Sequence, residues 1–438
     1  MRAVRLQQGK VLALLFAGYG ALYFCRADLS VGAPLIIDQL AGTDPLGRHG
    51  MSHDEAIVRI GTISSLGVLA YALGKLFLGG LGDYWGGRIS FLIGLAGATV
   101  FSLQFAASST IPLFMTAWFG NRLTQSIAWA GLIKVSSKWF DYSSYGMILG
   151  ILSLSYLVGD AVARQTMGVL IGHGYSWQTL FCYAAAVTAT LFAANWFLLR
   201  ESRVESGFTE ARTNPLSLFA SSESRAPNLR ALLGPLMRSR AFILVCLLSL
   251  GCTIIRETFN IWTPVYLRDY LGYSTSAAAG TSAIFPAVGA VSVLLSGWLS
   301  DRLGVNGRAL ILFVGLIASA AALLTLMTFR SGDHDSILPL LTIGLIAFCL
   351  LGPYSYLGGA FALDFGGKQA SAVSSGIIDG VGYLGAVAAG DSVGRISVAA
   401  GWQGVFVALA AVSTLAAVGA GRLYFMGSKA SERGSRLP

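Results

Sequence analysis

Two arginines stand where arginine is expensive. Arg26 lies near the middle of the first long apolar stretch and Arg256 near the middle of the seventh. A charge at bilayer depth costs about 2.5–3.5 kcal/mol on insertion scales, so such residues face a polar cavity or a partner. Tyr19 and Tyr23 precede Arg26 by seven and three residues, which puts all three on one helical face. Guanidinium groups hold the oxygens of a phosphate in bidentate pairs of fixed geometry, so the two arginines read as an anion site. The other reading is structural pairing with a buried carboxylate. Asp28 and Glu257 are close in sequence, but near neighbours on a helix project differently and are not expected to face the arginines.

Further polar residues interrupt the apolar runs. Lys75, one turn after Tyr71, either adds positive field to the cavity or snorkels toward the inner interface. Asp160 and Arg164, four residues apart, either neutralise each other or contact hydroxyls of a substrate. Asp379 stands one turn before Tyr383. The histidines His49, His53, His173 and His334 all fall in predicted outer loops, leaving no buried imidazole as a proton switch.

The composition demands a membrane. Hydrophobic residues make up 55% of the 438 and charged residues 12%, against about 25% charged in a soluble domain. Apolar runs fall at 11–37, 57–81, 89–108, 112–135, 146–172 and 178–199, then at 241–266, 276–300, 308–328, 337–363, 370–398 and 402–425. The first imitates a signal peptide but is followed by no small-residue cleavage site, and is expected to remain as an uncleaved span. The expected organisation is an N-terminal bundle over 1–199, a polar cytoplasmic linker over 200–240, and a C-terminal bundle with a basic tail over 241–438. Lysine and arginine gather in alternate loops: Arg88, Lys138, seven linker arginines, Arg302, Arg308 and Lys368 on one side, against Arg48, Arg59, Arg268, Arg330 and Arg395 on the other. This bias places both termini in the cytoplasm. It also accounts for the net charge of +9 without nucleic acid. The five cysteines lie in apolar runs without metal-ligand spacing and read as packing residues. No phosphate-binding Gly-rich loop, metal cluster or nucleophile–histidine pair supports an enzyme, a metal or a cofactor.

The halves repeat. Gly79-Gly80-Leu81-Gly82-Asp83-Tyr84-Trp85-Gly86-Gly87-Arg88 follows the second run, and Gly297-Trp298-Leu299-Ser300-Asp301-Arg302 through Gly307-Arg308 follows the eighth. These loops resemble the signature loop of the major facilitator superfamily. That resemblance implies an all-α membrane protein of twelve transmembrane helices in two pseudo-symmetric six-helix bundles. It also implies that Asp83, Arg88, Asp301, Arg302 and Arg308 lock neighbouring helices at the inner face.

Within the superfamily the chain resembles the organophosphate:phosphate antiporter family. The resemblance is clearest in Tyr19–Arg26, Tyr71–Lys75, Trp129 through Phe140, Arg256–Tyr266 and Gly352-Pro353 through Gly385. It implies a cytoplasmic-membrane transporter, expected to be monomeric, that exchanges an organic phosphate for inorganic phosphate by alternating access. By motif, Arg26 and Arg256 grip the phosphate and Lys75 adds field. Tyr19, Tyr23, Tyr71 and Tyr383 line the pore, and Trp129 offers an apolar wall. The sequence departs from the family at Ala27, at Ala130-Gly131 and at Tyr156, which stands where glycerol-phosphate members carry histidine. Tyr156 and Asp160 are therefore expected to meet an organic moiety different from theirs. A sugar-phosphate sensor of the same fold and a proton-coupled organic-anion symporter using Asp160 or Asp379 remain the alternatives.

Overall fold

Breaks inside the apolar runs place the polar residues. The computed structural model describes residues 2–42, 50–78, 85–141, 145–210 and 236–434, and among these every regular element is helical. The first run is two helices, α1 (Arg2–Leu22) and α2 (Phe24–Ala41), separated at Tyr23, with Cys25 in the first turn of α2 at a non-helical ψ of +17°. There the Tyr23 amide donates to Gly20 O at 3.0 Å and the Arg26 amide to Tyr23 O at 3.2 Å. The backbone is thus tightened to i→i+3 bonding immediately before the arginine. After α3 (His53–Leu78) and α4 (Gly87–Ala106), the fourth run is broken in the same way. It divides into α5 (Ile111–Gln125) and α6 (Ala128–Trp139), with the Ser126 amide bonded to Leu123 O at 3.3 Å.

The helices α7 (Tyr145–Gly172) and α8 (Trp177–Leu198) complete the run of elements before the linker. Beyond it come α9 (Arg240–Val265), α10 (Thr275–Thr281), α11 (Ile284–Leu326), α12 (Leu338–Tyr356), α13 (Ala362–Ala386) and α14 (Asp391–Gly434). Nine stretches among the described residues are long and apolar enough to cross a membrane. The stretch Ser374–Met426 spans 53 residues and turns at Gly401, whose φ of +67° is open to glycine and strained for other residues. With that turn, the α5–α6 pair and α7, the helix order accommodates the twelve crossings expected. The eighth and ninth apolar runs contribute two separate spans, Thr275–Leu299 and Gly307–Leu326.

Two compact units result. The first comprises Met1–Pro215, Ile261–Asp269 and Tyr273–Ala283; the second comprises Leu216–Asn260, Tyr270–Gly272 and Ile284–Pro438. Within the first, α2 and α7 reach the later segments through polar contacts. Ser30 Oγ donates to Ile261 O at 2.8 Å, and Arg268 Nη2 lies 2.6 Å from Asp38 Oδ1. Glycine sets how closely α1 and α7 cross: a Cβ on Gly159 would stand 2.4 Å from Gly20 O.

Candidate functional site

In the first unit one tyrosine collects three cations. The guanidinium carbon of Arg26 lies 4.5 Å from the ring centroid of Tyr71, Arg122 lies 5.1 Å from it, and Lys75 Nζ 5.3 Å. The Tyr71 residue is 1% exposed, so these contacts are made away from bulk water, where cation–π attraction is strongest. Arg26 is oriented further by its own bonds. Its Nε donates to Gln125 Oε1 at 2.6 Å and its Nη1 to Tyr23 OH at 2.9 Å, with the Tyr23 ring 4.4 Å away. The aromatic residues continue outward from it. Tyr19 packs on Tyr23 at 5.9 Å and on Trp129 at 5.0 Å, while Tyr23 packs on Tyr156 at 5.6 Å. The structure therefore brings Arg26, Lys75, Tyr19, Tyr23, Tyr71, Trp129 and Tyr156 together.

Arg122 and Gln125 escaped the sequence reading. The signal for Arg122 was present, since it lies within the apolar run 112–135 and is costly by the same criterion as Arg26. Asp160 and Arg164 form an ion pair at 3.0 Å, both buried. Arg164 also donates to Ser282 Oγ at 3.2 Å and reaches Ser30 Oγ at 3.5 Å. The pair thus has a bracing role, which matches mutual neutralisation.

In the second unit the expectation for Glu257 fails. Arg256 Nη2 donates to Glu257 Oε1 at 2.6 Å and its Nε to the same oxygen at 3.1 Å. The backbones of adjacent residues do diverge, but the long guanidinium stem curls back to the carboxylate. Arg256 Nη2 also donates to Tyr383 OH at 2.9 Å, and the Tyr354 ring lies 4.8 Å from its guanidinium carbon. Asn260 Nδ2 adds a donor to Glu257 Oε1 at 3.3 Å. Arg256 and Tyr383 are thus joined as expected, and Glu257 and Tyr354 are additions.

Of the residues assigned to inner-face locking, Asp83 lies outside the described residues, as do the side chains of Asp301 and Arg302. Arg308 is half-buried on α11. Arg88 begins α4 and donates from its side chain to Trp196 O. Its backbone amide donates to Glu201 Oε2 at 2.6 Å, while Gly87 N at 3.0 Å and Lys138 Nζ at 2.6 Å both bond Glu201 Oε1. Burial alone would raise the Glu201 pKa, but these donors outweigh it and hold the carboxyl below its ordinary range. Glu201 is therefore the hub of this end of the first unit. Among the described residues no cluster of histidine, cysteine and carboxylates is placed to hold a metal.

Comparison with known proteins accords with this arrangement. The family model described as "Major Facilitator Superfamily" matches residues 14–390. A protein of Chlamydia trachomatis named as a probable hexose phosphate transport protein is 25% identical over 425 residues, covering 93% of this chain and 89% of that one. The glycerol-3-phosphate transporter of Bacillus subtilis is 22% identical, covering 92% and 89%. The Escherichia coli membrane sensor protein UhpC is 23% identical, covering 93% and 90%. In three dimensions the chain is similar to a bacterial homologue of the human lysosomal transporter Spinster in an inward-facing, unoccupied conformation. That likeness has a TM-score of 0.74 at 14% identity and covers 96% of this chain and 98% of the other. The chain is a multi-pass membrane protein and belongs to the major facilitator superfamily.

Proposed function

We propose that this protein is a secondary transporter that exchanges an organic phosphate for inorganic phosphate across the cytoplasmic membrane by alternating access, with both termini inside. The observation that carries the reading is the gathering of Arg26, Lys75 and Arg122 on Tyr71 within a multi-pass membrane protein. Cations concentrated in so apolar a chain favour an anion, and guanidinium forks favour phosphate oxygens. Relatives named for hexose phosphate and glycerol-3-phosphate transport support the organic phosphate. In this mechanism Arg26 and Arg256 take the phosphate, Lys75 supplies field, and Tyr23, Tyr71 and Tyr383 offer hydroxyls to it. Tyr19, Trp129 and Tyr156 meet the organic portion. Glu257 holds Arg256 until phosphate replaces it.

Exchange of labelled phosphate in proteoliposomes tests this. Arg26→Lys or Arg256→Lys is expected to reduce exchange at least a hundredfold, because one ammonium does not hold two oxygens in a fork. Near-normal exchange in either variant would overturn the assignment. The similarity to a membrane sensor gives the rival reading its weight. Saturable binding of hexose phosphate by the wild-type protein with no exchange at all would favour the sensor.

A further inference from the structure

Behind Arg26 runs a chain of hydrogen bonds that crosses three helices and ends on a carboxylate. Arg26 Nε donates to Gln125 Oε1 at 2.6 Å, and Gln125 Nε2 donates to Asn121 Oδ1 at 2.5 Å. Asn121 Nδ2 donates to Ser102 Oγ at 3.0 Å, and Ser102 Oγ donates to Asp28 Oδ2 at 3.2 Å. Two side bonds anchor it: Gln125 Nε2 to Cys25 O at 3.2 Å, and the Leu29 amide to Asp28 Oδ1 at 2.8 Å. Asp28, Ser102 and Gln125 are fully buried and Asn121 is 1% exposed.

The chain has only one possible polarity. Arginine donates and never accepts. With that end fixed, Gln125 must turn its oxygen to Arg26 and its NH2 to Asn121, and Asn121 must turn its NH2 to Ser102. Neither amide is left to choose its orientation. A run of aligned donors leading from a cation also polarises cooperatively, strengthening each bond.

We propose that Gln125 is a positioning residue for Arg26, held in its working orientation by the Asn121–Ser102–Asp28 relay, so that phosphate affinity in the first unit is set by residues that never touch phosphate. By occupying Nε, Gln125 fixes the plane of the guanidinium and so the direction in which its remaining edge meets the anion. Asp28 is the acceptor on which the relay ends, which gives that buried acid a role the phosphate-gripping reading leaves unassigned. Arg122 on α5 and Cys25 on α2 are ionisable groups near this acid. The inference rests on the reading of Arg26 as a phosphate ligand.

A double-mutant cycle on the full-length purified protein tests it, with inorganic phosphate as the probe and binding read from ligand-dependent thermal stabilisation and from the KM of exchange. Gln125→Leu is expected to raise the phosphate Kd and KM at least tenfold while maximal exchange stays within about twofold. Asp28→Asn alone is expected to raise both several-fold. The double variant is expected to match Gln125→Leu, because a relay cut at its near end has nothing more to lose. Phosphate affinity within twofold of wild type in Gln125→Leu, or additive effects of the two substitutions, would overturn the relay. Should the leucine variant fail to fold, Gln125→Glu keeps the volume and the acceptor. It pairs directly with Arg26 and is expected to weaken phosphate binding at least tenfold; unchanged binding would overturn the proposal equally. Arg26→Lys separates the two claims: normal phosphate binding there refutes the phosphate reading itself. Lost binding there, together with an indifferent Gln125 variant, refutes the relay alone.

Discussion

If phosphate binds at Arg256 as proposed, Glu257 is what it has to displace. The pair is 2.6 Å apart with side chains 13% and 8% exposed, so each partner has lost most of its water. Removing one member of such a pair leaves an uncompensated charge, which costs about 3–5 kcal/mol when nothing replaces it. An anion replaces it well. Glu257→Gln is therefore expected to tighten phosphate binding about tenfold, or roughly 1.4 kcal/mol. Phosphate exchange is expected to slow in the same variant, because the carboxylate no longer helps to expel bound phosphate. Phosphate titration and exchange rates on one preparation check both signs, and weaker binding would mean that Glu257 shapes Arg256 rather than competes for it. Sequence spacing showed the face shared by Tyr19, Tyr23 and Arg26, since 3.6-residue periodicity fixes where a helix points its side chains. It missed the Arg256–Glu257 contact because periodicity locates Cβ atoms, whereas a guanidinium sits several rotatable bonds beyond.

At the scale of elements, long apolar runs were legible and their interruptions were not. The breaks at Tyr23–Cys25 and Ser126–Ile127 contain no proline, the usual sequence mark of a kink. Each stands beside a partner in the Arg26–Gln125 hydrogen bond, Arg26 after one and Gln125 before the other. Backbone irregularity at membrane depth is tolerated where it is buried in protein or lines a polar cavity, so its cause is tertiary and lies outside the local sequence. The inner end of the first unit was also hidden, because Glu201 belongs to a polar linker and its partners stand 63 to 114 residues away. That carboxyl is held below its ordinary pKa of 4.5, so its contribution to stability is present above pH 4.5 and is lost as pH falls through the lower folded value. Solvent screens part of this half-buried group, leaving an expected contribution of about 1 kcal/mol. Glu201→Gln is expected to lower the melting temperature at pH 7 and to flatten its decline on acidification below pH 4.5. A variant that melts like wild type at pH 7 would show that the Lys138 and α4 contacts are dispensable.

For the whole molecule, the proposed exchange requires that an empty carrier be held back from reorienting. The first unit gathers Arg26, Lys75 and Arg122 on one buried ring, with Asp28 as the carboxylate at the end of the Arg26 relay. The charge of Asp160 is already spent on Arg164. A positive site of this kind is stable while water reaches it and unfavourable once a closed intermediate removes that water. Under the proposed exchange, phosphate adds negative charge to this cluster, so a loaded carrier passes through the closed state and an empty one is held back. Efflux of labelled phosphate from preloaded proteoliposomes into phosphate-free medium is therefore expected to be slow, and external phosphate is expected to accelerate it more than tenfold. Equal rates with and without external phosphate would mean that the empty carrier reorients freely and that the cationic cluster does not govern coupling. Acceleration by an imposed proton gradient, with none from external phosphate, would instead transfer the coupling to an acid within the spans, Asp160 or Asp379.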